Sequence, residues 1–369
     1  MGKILISAGE ESGDLYASLL VKEIKKQRKD AEIIAFGGER VKKAGADLKI
    51  NLLKIAIIGF WEVVLNIFSI ISILIKTTKI LKQEKPDLLI VIDFPGFNLW
   101  LIKKARKAGV KKIIYWITPQ IWAWDYDRIR TIKKYCDLCI VAFPFEKKIF
   151  EKEGIPVEYF GHPITEIIKI NKSHRTGKKI KIGIFPGSRE SEVKSFLPDI
   201  LKACVLIKKN LPDAEFILFK SKTIDYKIIN DFLEKFNDLS VKTLNGDDFK
   251  SRSMLDAAIV KSGTVTLENA LFGIPMVVVY RVSMISYLIT KMLIKVKFIA
   301  LPNVIAGKMI VPELIQHDFT PEKICAEING ILKDKNYVNS IKKGYKEIQK
   351  STYNKNVMKN SVKAILKEL

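Results

Sequence analysis

Ala257-Ala258-Ile259-Val260-Lys261-Ser262-Gly263-Thr264-Val265-Thr266-Leu267-Glu268 reads as a short buried strand, a small polar turn, and a helix that begins at the turn. Ser262 and Thr264 are residue types that cap helix N-termini, and Gly263 lets a ligand approach the backbone. The first N–H groups of such a helix lack intrahelical partners and lie at its positive end, which suits phosphate. Glu268 follows Thr264 by one helical turn on the same face, where a carboxylate can accept hydrogen bonds from sugar hydroxyls. An ordinary capped helix of an α/β domain fits the same letters, so the surrounding chain has to decide.

The 369 residues suffice for two domains with full cores, and 48% hydrophobic with 28% charged residues is a globular composition. A net charge of +23 implies an anionic partner: nucleic acid, an acidic lipid surface or a phosphorylated substrate. The lysines are spread along the chain, which favours a basic surface over a basic arm. The stretch from Met1 to Glu10 lacks the long apolar run of a signal peptide, and the four cysteines complete no zinc pattern. Cys136 and Cys139 lead into apolar Ile140-Val141-Ala142-Phe143 and read as buried structural residues. A reduced, cytoplasmic protein is expected.

Along the first half, Lys3 to Ala8 predicts a strand, Gly9 to Asp14 its loop, and Ala17, Leu20, Val21 and Ile24 a helix. The loop is not the G-x-G-x-x-G dinucleotide fingerprint. Ser12 and Asp14 either cap that helix or face a ligand with Gly13. Glu32 to Phe36 is the next strand. Ile55 to Ile75 is apolar except for a stripe of Glu62, Asn66, Ser69 and Ser72. Its length would span a bilayer, but Glu62 would be costly there and strands flank it on both sides, so a face partly exposed to membrane is expected instead. Leu88 to Ile92 predicts a buried strand ending in Asp93, where a carboxylate at a strand's C-terminal end meets the loop Phe94 to Asn98.

Lys111 to Ile117 gives another strand, leading into the aromatic loop Thr118-Pro119-Gln120-Ile121-Trp122-Ala123-Trp124, which suits a sugar or acyl surface as well as core packing. Asp125-Tyr126-Asp127 looks like a D-x-D metal motif, but it opens a basic helix where dipole capping is the better account. No metal and no other cofactor is predicted. Asp137 to Phe143 is a further strand, and His162 before Pro163 reads as structural.

A basic polar stretch from Ile168 to Lys181 marks a boundary, and the alternation then restarts. Strands are expected at 179–185, 215–219, 239–244, 257–260 and 276–280. In the turn Pro186-Gly187-Ser188-Arg189, the guanidinium can offer a planar fork to phosphate oxygens. A second apolar and basic patch covers Met284 to Ile299 and ends at Leu301-Pro302-Asn303. Helices rich in lysine and asparagine close the chain. The expected fold is α/β, with domains at 1–170 and 171–335 and a helical tail at 336–369.

These motifs resemble the lipid-A-disaccharide synthase family nearly end to end. The residues that carry the likeness are Gly9-Glu10-Glu11-Ser12-Gly13-Asp14, Ile92-Asp93-Phe94-Pro95, Phe97-Asn98, Pro119 to Trp124, Pro144-Phe145-Glu146, Gly161-His162-Pro163, Pro186 to Arg189, Ser262 to Glu268, Pro275-Met276-Val277-Val278 and Leu301-Pro302-Asn303. Each is weak alone; their number, order and spacing make the joint match specific. The resemblance implies two facing Rossmann-like domains (GT-B), with C-terminal helices returning to the N-terminal domain or exchanged in a swapped homodimer. It implies metal-independent, inverting transfer from UDP-2,3-diacylglucosamine to 2,3-diacylglucosamine 1-phosphate, giving a β(1→6) disaccharide and UDP. It further implies a peripheral place on the cytoplasmic face of the inner membrane of a Gram-negative cell, with an anionic membrane surface and no nucleic acid as partner.

Under that resemblance Gly187, Ser188, Arg189, Ser262, Gly263, Thr264, Glu268 and Asn303 hold the donor, and Ser12, Gly13, Asn98, Gln120 and Trp122 line the acceptor side. Arg189 takes charge from the leaving diphosphate. Many members read I-D-x-P-D-F-N, with the second aspartate favoured as catalytic; here that position is Gly96. Asp93 is therefore the candidate base, and Glu10 the runner-up. A nucleotide-sugar 2-epimerase of the same fold would share Ser262 to Glu268 without needing the apolar face, and a basic nucleic-acid-binding protein would explain only the charge.

Overall fold

The computed structural model describes residues 2–53, 67–122, 125–171, 179–282 and 297–369. The chain divides into two compact units, one formed by Met1–Glu166 with Thr352–Leu369 and the other by Ile167–Ser351. Among the described residues, each unit is built on one parallel sheet.

In the first unit the strands are β1 (Ile4–Ala8), β2 (Ile33–Gly37), β3 (Asp47–Asn51), β4 (Leu88–Ile92), β5 (Lys112–Trp116), β6 (Leu138–Val141) and β7 (Val157–Tyr159). They lie in the order β3-β2-β1-β4-β5-β6-β7. The centre is formed by the most apolar runs: β1 reads Ile-Leu-Ile-Ser-Ala, β4 reads Leu-Leu-Ile-Val-Ile, and every residue of both is buried. Parallel strands covered on both faces need that composition, because neither face meets water. Ile4 pairs with Leu88 and Ala8 with Ile92, which brings the loops after β1 and β4 side by side. Helices Glu11–Gln27, Ile67–Glu84, Pro95–Lys107, Arg128–Tyr135 and Pro144–Lys152 connect the strands. Leu89, Leu101, Ile102, Ile113 and Phe150 share one core cluster. Truncating one of these to alanine would cost about 2–5 kcal/mol.

The second unit contains β8 (Lys181–Phe185), β9 (Glu215–Lys220), β10 (Val241–Asn245), β11 (Ala257–Lys261), β12 (Met276–Tyr280) and β13 (Glu313–Ile315). Their order is β10-β9-β8-β11-β12-β13, again all parallel. The strand 257–261 from which the sequence reading started lies mid-sheet, between β8 and β12.

The tail does not travel as one piece. Helix Lys335–Thr352 stays with the second unit up to Ser351; Tyr345 Oη donates to Ile274 O (3.1 Å), and Gln349 Nε2 donates to Leu271 O (3.1 Å). Helix Val357–Lys367 packs on helix Glu11–Gln27 of the first unit. There Val357 N donates to Glu166 Oε1 (3.0 Å), and Lys112 Nζ meets Glu368 at 2.7 Å.

Much of the apolar segment 55–75 lies outside the described residues, as does nearly all of the patch 284–299. Within helix Ile67–Glu84, Ile80 and Leu81 enter the core, whereas Ile71 and Ile75 are exposed at 45% and 65%. No helix among the described residues is long and apolar enough to cross a membrane.

Candidate active site

Each sheet reverses its strand order once, and ligands of open α/β sheets bind outside the carboxyl ends of the strands at such a point. In the first sheet the reversal lies between β1 and β4, and in the second between β8 and β11. The loops at those four strand ends carry Glu10 to Gly13, Asp93 to Asn98, Gly187 to Arg189, and Ser262 to Thr264. Topology alone thus gathers most of the predicted residues into one rim per unit.

In the first rim, Asp93 and Phe94 follow β4 with φ of 42° and 47°, and Ile117 follows β5 with φ of 60°. Left-handed backbone is unfavourable for such residues, most of all for β-branched isoleucine, so neighbours must enforce it. They do. Asp93 N donates to Ile117 O (3.0 Å), Tyr115 Oη donates to Asp93 O (2.8 Å), and Asn98 Nδ2 donates to Asp93 O (2.7 Å) and Ile92 O (3.1 Å). Ser7 Oγ donates to Asn98 Oδ1 (2.7 Å), which completes the clamp. Asn98, expected on the acceptor side, is fully buried and shapes the turn beneath Asp93. Gly9 is required here, because a Cβ on it would meet the Phe94 ring at 2.0 Å. Gly96 is a different case: a Cβ there meets nothing within 4 Å, so the loop has room for a side chain at this position.

Asp93 keeps some accessible surface, but the protein packed around its carboxyl and the neighbouring Glu10 charge push its pKa up to about 7. An ionised carboxylate is costly where packed protein displaces much of its water and a like charge stands nearby. Ser12 and Gly13 sit in the first turn of helix Glu11–Gln27. Asp14 does not cap its own helix. Its carboxylate accepts from Gly38 N (2.7 Å), Arg40 N (3.1 Å) and Val41 N (3.3 Å), so it closes the loop after β2.

Trp122 Nε1 donates to Glu146 Oε1 (2.9 Å), and its ring meets Phe145 edge-on at 5.1 Å. Glu146 is buried, with Oε2 accepting from Ala142 N (3.1 Å) and Phe143 N (3.0 Å), and burial raises its pKa to about 7. Trp122 is therefore anchored by its indole nitrogen, while Gln120 beside it is partly exposed. Ala123 and Trp124 lie outside the described residues. Asp125 and Asp127 pair with Arg128 (2.6 Å) and Arg130 (3.4 Å) rather than capping the helix. His162 is buried with Nδ1 accepting from Ile164 N (3.2 Å), and burial lowers its pKa to about 3.

In the second rim, Gly187 adopts φ of 125°, and a Cβ there would lie 2.6 Å from Glu192 Oε2. That oxygen accepts from Ser188 N (2.9 Å) and Arg189 N (3.3 Å), the capping-box arrangement of helix Glu190–Asn210. Glu192 Oε1 accepts from Lys261 Nζ (2.8 Å) and lies 3.8 Å from Arg189 Nη1. Burial alone would raise Glu192, but the Lys261 charge and these hydrogen bonds outweigh it and hold the carboxyl below its ordinary range. The Arg189 side chain is half exposed.

The helix after β11 starts at Thr264 with Gly263 as its N-cap residue, and no side chain caps it. Ser262, expected as a cap, instead donates to Ile299 O (2.9 Å). A Cβ on Gly263 would meet open space. Glu268 lies deeper than expected: it is 7% exposed, and its Oε2 takes Arg252 Nη1 at 2.5 Å. Asn303 is a correction. Its Oδ1 accepts from Ile310 N and Val311 N, and its Nδ2 donates to Val311 O and Glu313 Oε1, all within 2.6–2.9 Å. That uses the whole hydrogen-bonding capacity of an amide, so the side chain braces its own loop and has nothing left for a donor.

A sequence model of the family described as Lipid-A-disaccharide synthetase matches residues 4–367. The lipid-A-disaccharide synthase of Trichlorobacter lovleyi is 38% identical over 344 residues, covering 91% of this chain and 89% of that protein. The enzyme of that name from Coxiella burnetii is 36% identical over 348 residues, covering 92% and 91%. The chain belongs to the lipid-A-disaccharide synthase family. It is a glycosyltransferase of lipid A biosynthesis. Among solved structures, S. aureus MnaA in a co-structure with UDP is similar with a TM-score of 0.69 at 14% identity, over 100% of this chain and 98% of that one. Acinetobacter baumannii MurG follows with a TM-score of 0.57 at 14% identity, covering 99% of each. These likenesses speak for the GT-B fold.

Sequence reasoning passed over Arg252, Glu192 and Lys261 as members of the second rim, and Glu146 as a second buried carboxyl in the first unit. A helix N3 glutamate behind Pro-Gly-Ser-Arg and a lysine ending an apolar strand were the available signals.

Proposed function

We propose that the protein transfers the diacylglucosaminyl group of UDP-2,3-diacylglucosamine to the 6-hydroxyl of 2,3-diacylglucosamine 1-phosphate, with inversion. The products are the β(1→6) disaccharide 1-phosphate and UDP. The observation that carries this reading is the second rim. An uncapped helix start at Thr264 lies at the end of the strand next to the turn that presents Arg189. Backbone amides at a helix start and a guanidinium are the donors a diphosphate needs, and they act without rearrangement as its charge grows. The co-structure of the similar S. aureus MnaA with UDP supports placing a uridine nucleotide here.

In a single displacement the acceptor O6 attacks the donor C1 as the bond from C1 to the diphosphate oxygen breaks. The O6 proton passes to Asp93, whose pKa near 7 suits a base at neutral pH. The electron pair leaves with UDP, whose added negative charge falls to Arg189 and the Thr264 helix start. Both substrates are acylated anions. The exposed Ile71 and Ile75 and the net charge of +23 support docking on an anionic membrane surface, peripherally on its cytoplasmic face.

Incubating the purified protein with both acylated sugars in mixed micelles tests the proposal directly. Stoichiometric UDP and a disaccharide monophosphate are expected. Release of a 2-epimer without any disaccharide would place the chemistry with the epimerases instead.

A further inference from the structure

A lysine is a costly way to end an otherwise buried apolar strand, yet β11 runs Ala-Ala-Ile-Val-Lys. The Lys261 side chain is 17% exposed, its Nζ reaches Glu192 Oε1 at 2.8 Å, and it lies over the Tyr280 ring at 5.7 Å. Helix capping does not require this. Glu192 completes its capping box with Oε2 alone, which takes the two amides of Ser188 and Arg189, so a second contact to a strand 69 residues away serves another purpose.

Charge supplies that purpose. Arg189 and Glu192 by themselves cancel, leaving a neutral rim for a ligand that arrives as a dianion and leaves more negative still. Lys261 turns the rim net positive. It also stands immediately before Ser262-Gly263-Thr264, at the border where β8 and β11 part. An ammonium carries three donors, and a carboxylate contact through one of them fixes its position while leaving it able to serve an oxyanion.

We propose that Lys261 is a further catalytic residue: its ammonium binds the donor diphosphate and takes up charge as UDP departs, with the Glu192 carboxylate as the partner that competes for it. The proposal rests on the reading of the second rim as the diphosphate site. Lys261 stays protonated throughout; no bond to it forms or breaks. A nucleotide diphosphate is the ligand class, and the nucleoside itself lies outside its reach.

The test is calorimetric binding of UDP and of uridine to the full-length wild type, Lys261→Met, Lys261→Arg and Glu192→Gln. Lys261→Met is expected to weaken UDP at least about tenfold and leave uridine unchanged. Lys261→Arg should keep part of the UDP affinity. Glu192→Gln retains an oxygen for the two amides and removes the competing negative charge, so it should bind UDP more tightly than wild type. That variant keeps the test alive if Lys261→Met does not fold. Equal UDP affinity in wild type and Lys261→Met overturns the proposal. So does a loss in Glu192→Gln as large as in Lys261→Met, because Lys261 would then be only a strut for the turn. If wild type itself binds no UDP, the reading of the rim fails, and that result is distinct from either.

Discussion

Replacing Glu10 with glutamine should move the pH at which Asp93 becomes an active base. Asp93 is held near 7, chiefly by burial and then by the Glu10 charge. With a base of that pKa, about a tenth of the enzyme is active at pH 6 and about nine-tenths at pH 8, a rise of about tenfold in turnover. Glu10→Gln removes the like charge but not the burial, so the acid limb shifts to lower pH while staying above that of an ordinary aspartate. A fall of about one unit, worth about 1.4 kcal/mol, would lift the rate at pH 6 from about a tenth to about half of its plateau. Initial rates of UDP release, followed from pH 5 to 9 under saturating substrates, read this directly. Asp93→Asn should lose about 10²–10⁴-fold at every pH. Burial, with a smaller contribution from the Asp93 charge, also raises Glu146 to about 7, so Glu146→Gln is the necessary comparison and should move the limb less than Glu10→Gln. The reasoning fails if wild type is flat across this range, if Asp93→Asn turns over normally, or if Glu146→Gln rather than Glu10→Gln moves the limb.

Other perturbations probe the surrounding framework. Arg252→Met strands the buried Glu268 carboxylate and should cost about 3–5 kcal/mol, measured by urea unfolding. The double variant Arg252→Met with Glu268→Leu should recover much of that, because no unpaired charge remains. Gly187→Ala forces a Cβ against Glu192 at a φ of 125° and should cost about 1–3 kcal/mol, with weaker UDP binding in the same protein. His162 is kept neutral by burial, with a folded pKa of about 3 against 6.5 unfolded. A depressed folded pKa gives stability that is present above pH 6.5 and lost as pH falls toward 3. On going from pH 7 to pH 4, wild type should therefore lose about 3 kcal/mol more than His162→Asn in denaturant titrations.

Most of the strands that sequence periodicity reached have buried, β-branched runs, although the edge strand β10, Val-Lys-Thr-Leu-Asn, was reached as well. β1, β4, β8 and β11 are legible because a strand covered on both faces admits little else. β3, β7 and β13 passed unnoticed because they sit at or near the sheet edges, are short, and mix charged with apolar residues: Asp-Leu-Lys-Ile-Asn, Val-Glu-Tyr and Glu-Leu-Ile. The loops carrying the site were legible for the same reason as the central strands, since each follows one of them. Side-chain partnership was not. Glu268 looked like a ligand residue from its helical phase, but its partner Arg252 lies on a separate short helix before β11, and only packing brings that guanidinium between the Phe185, Phe249 and Phe272 rings. Asn98 and Asn303 looked like polar loop residues facing a substrate. Both turned inward because the turns they brace expose carbonyls or amides that need partners away from water. Asp14 reached across to the loop after β2, a contact that helix-start chemistry could not reveal.

The first unit closes with the last residues of the chain. Helix Val357–Lys367 lies against helix Glu11–Gln27, Gln27 Nε2 donates to Lys359 O, and a Cβ on Gly2 would touch the Leu369 side chain. During synthesis, then, residues 2–166 emerge with one flank bare and wait for the whole second unit to be translated, about 10–40 s at ordinary elongation rates. A stop codon or a bulky fusion at the far end would damage the unit that left the ribosome first.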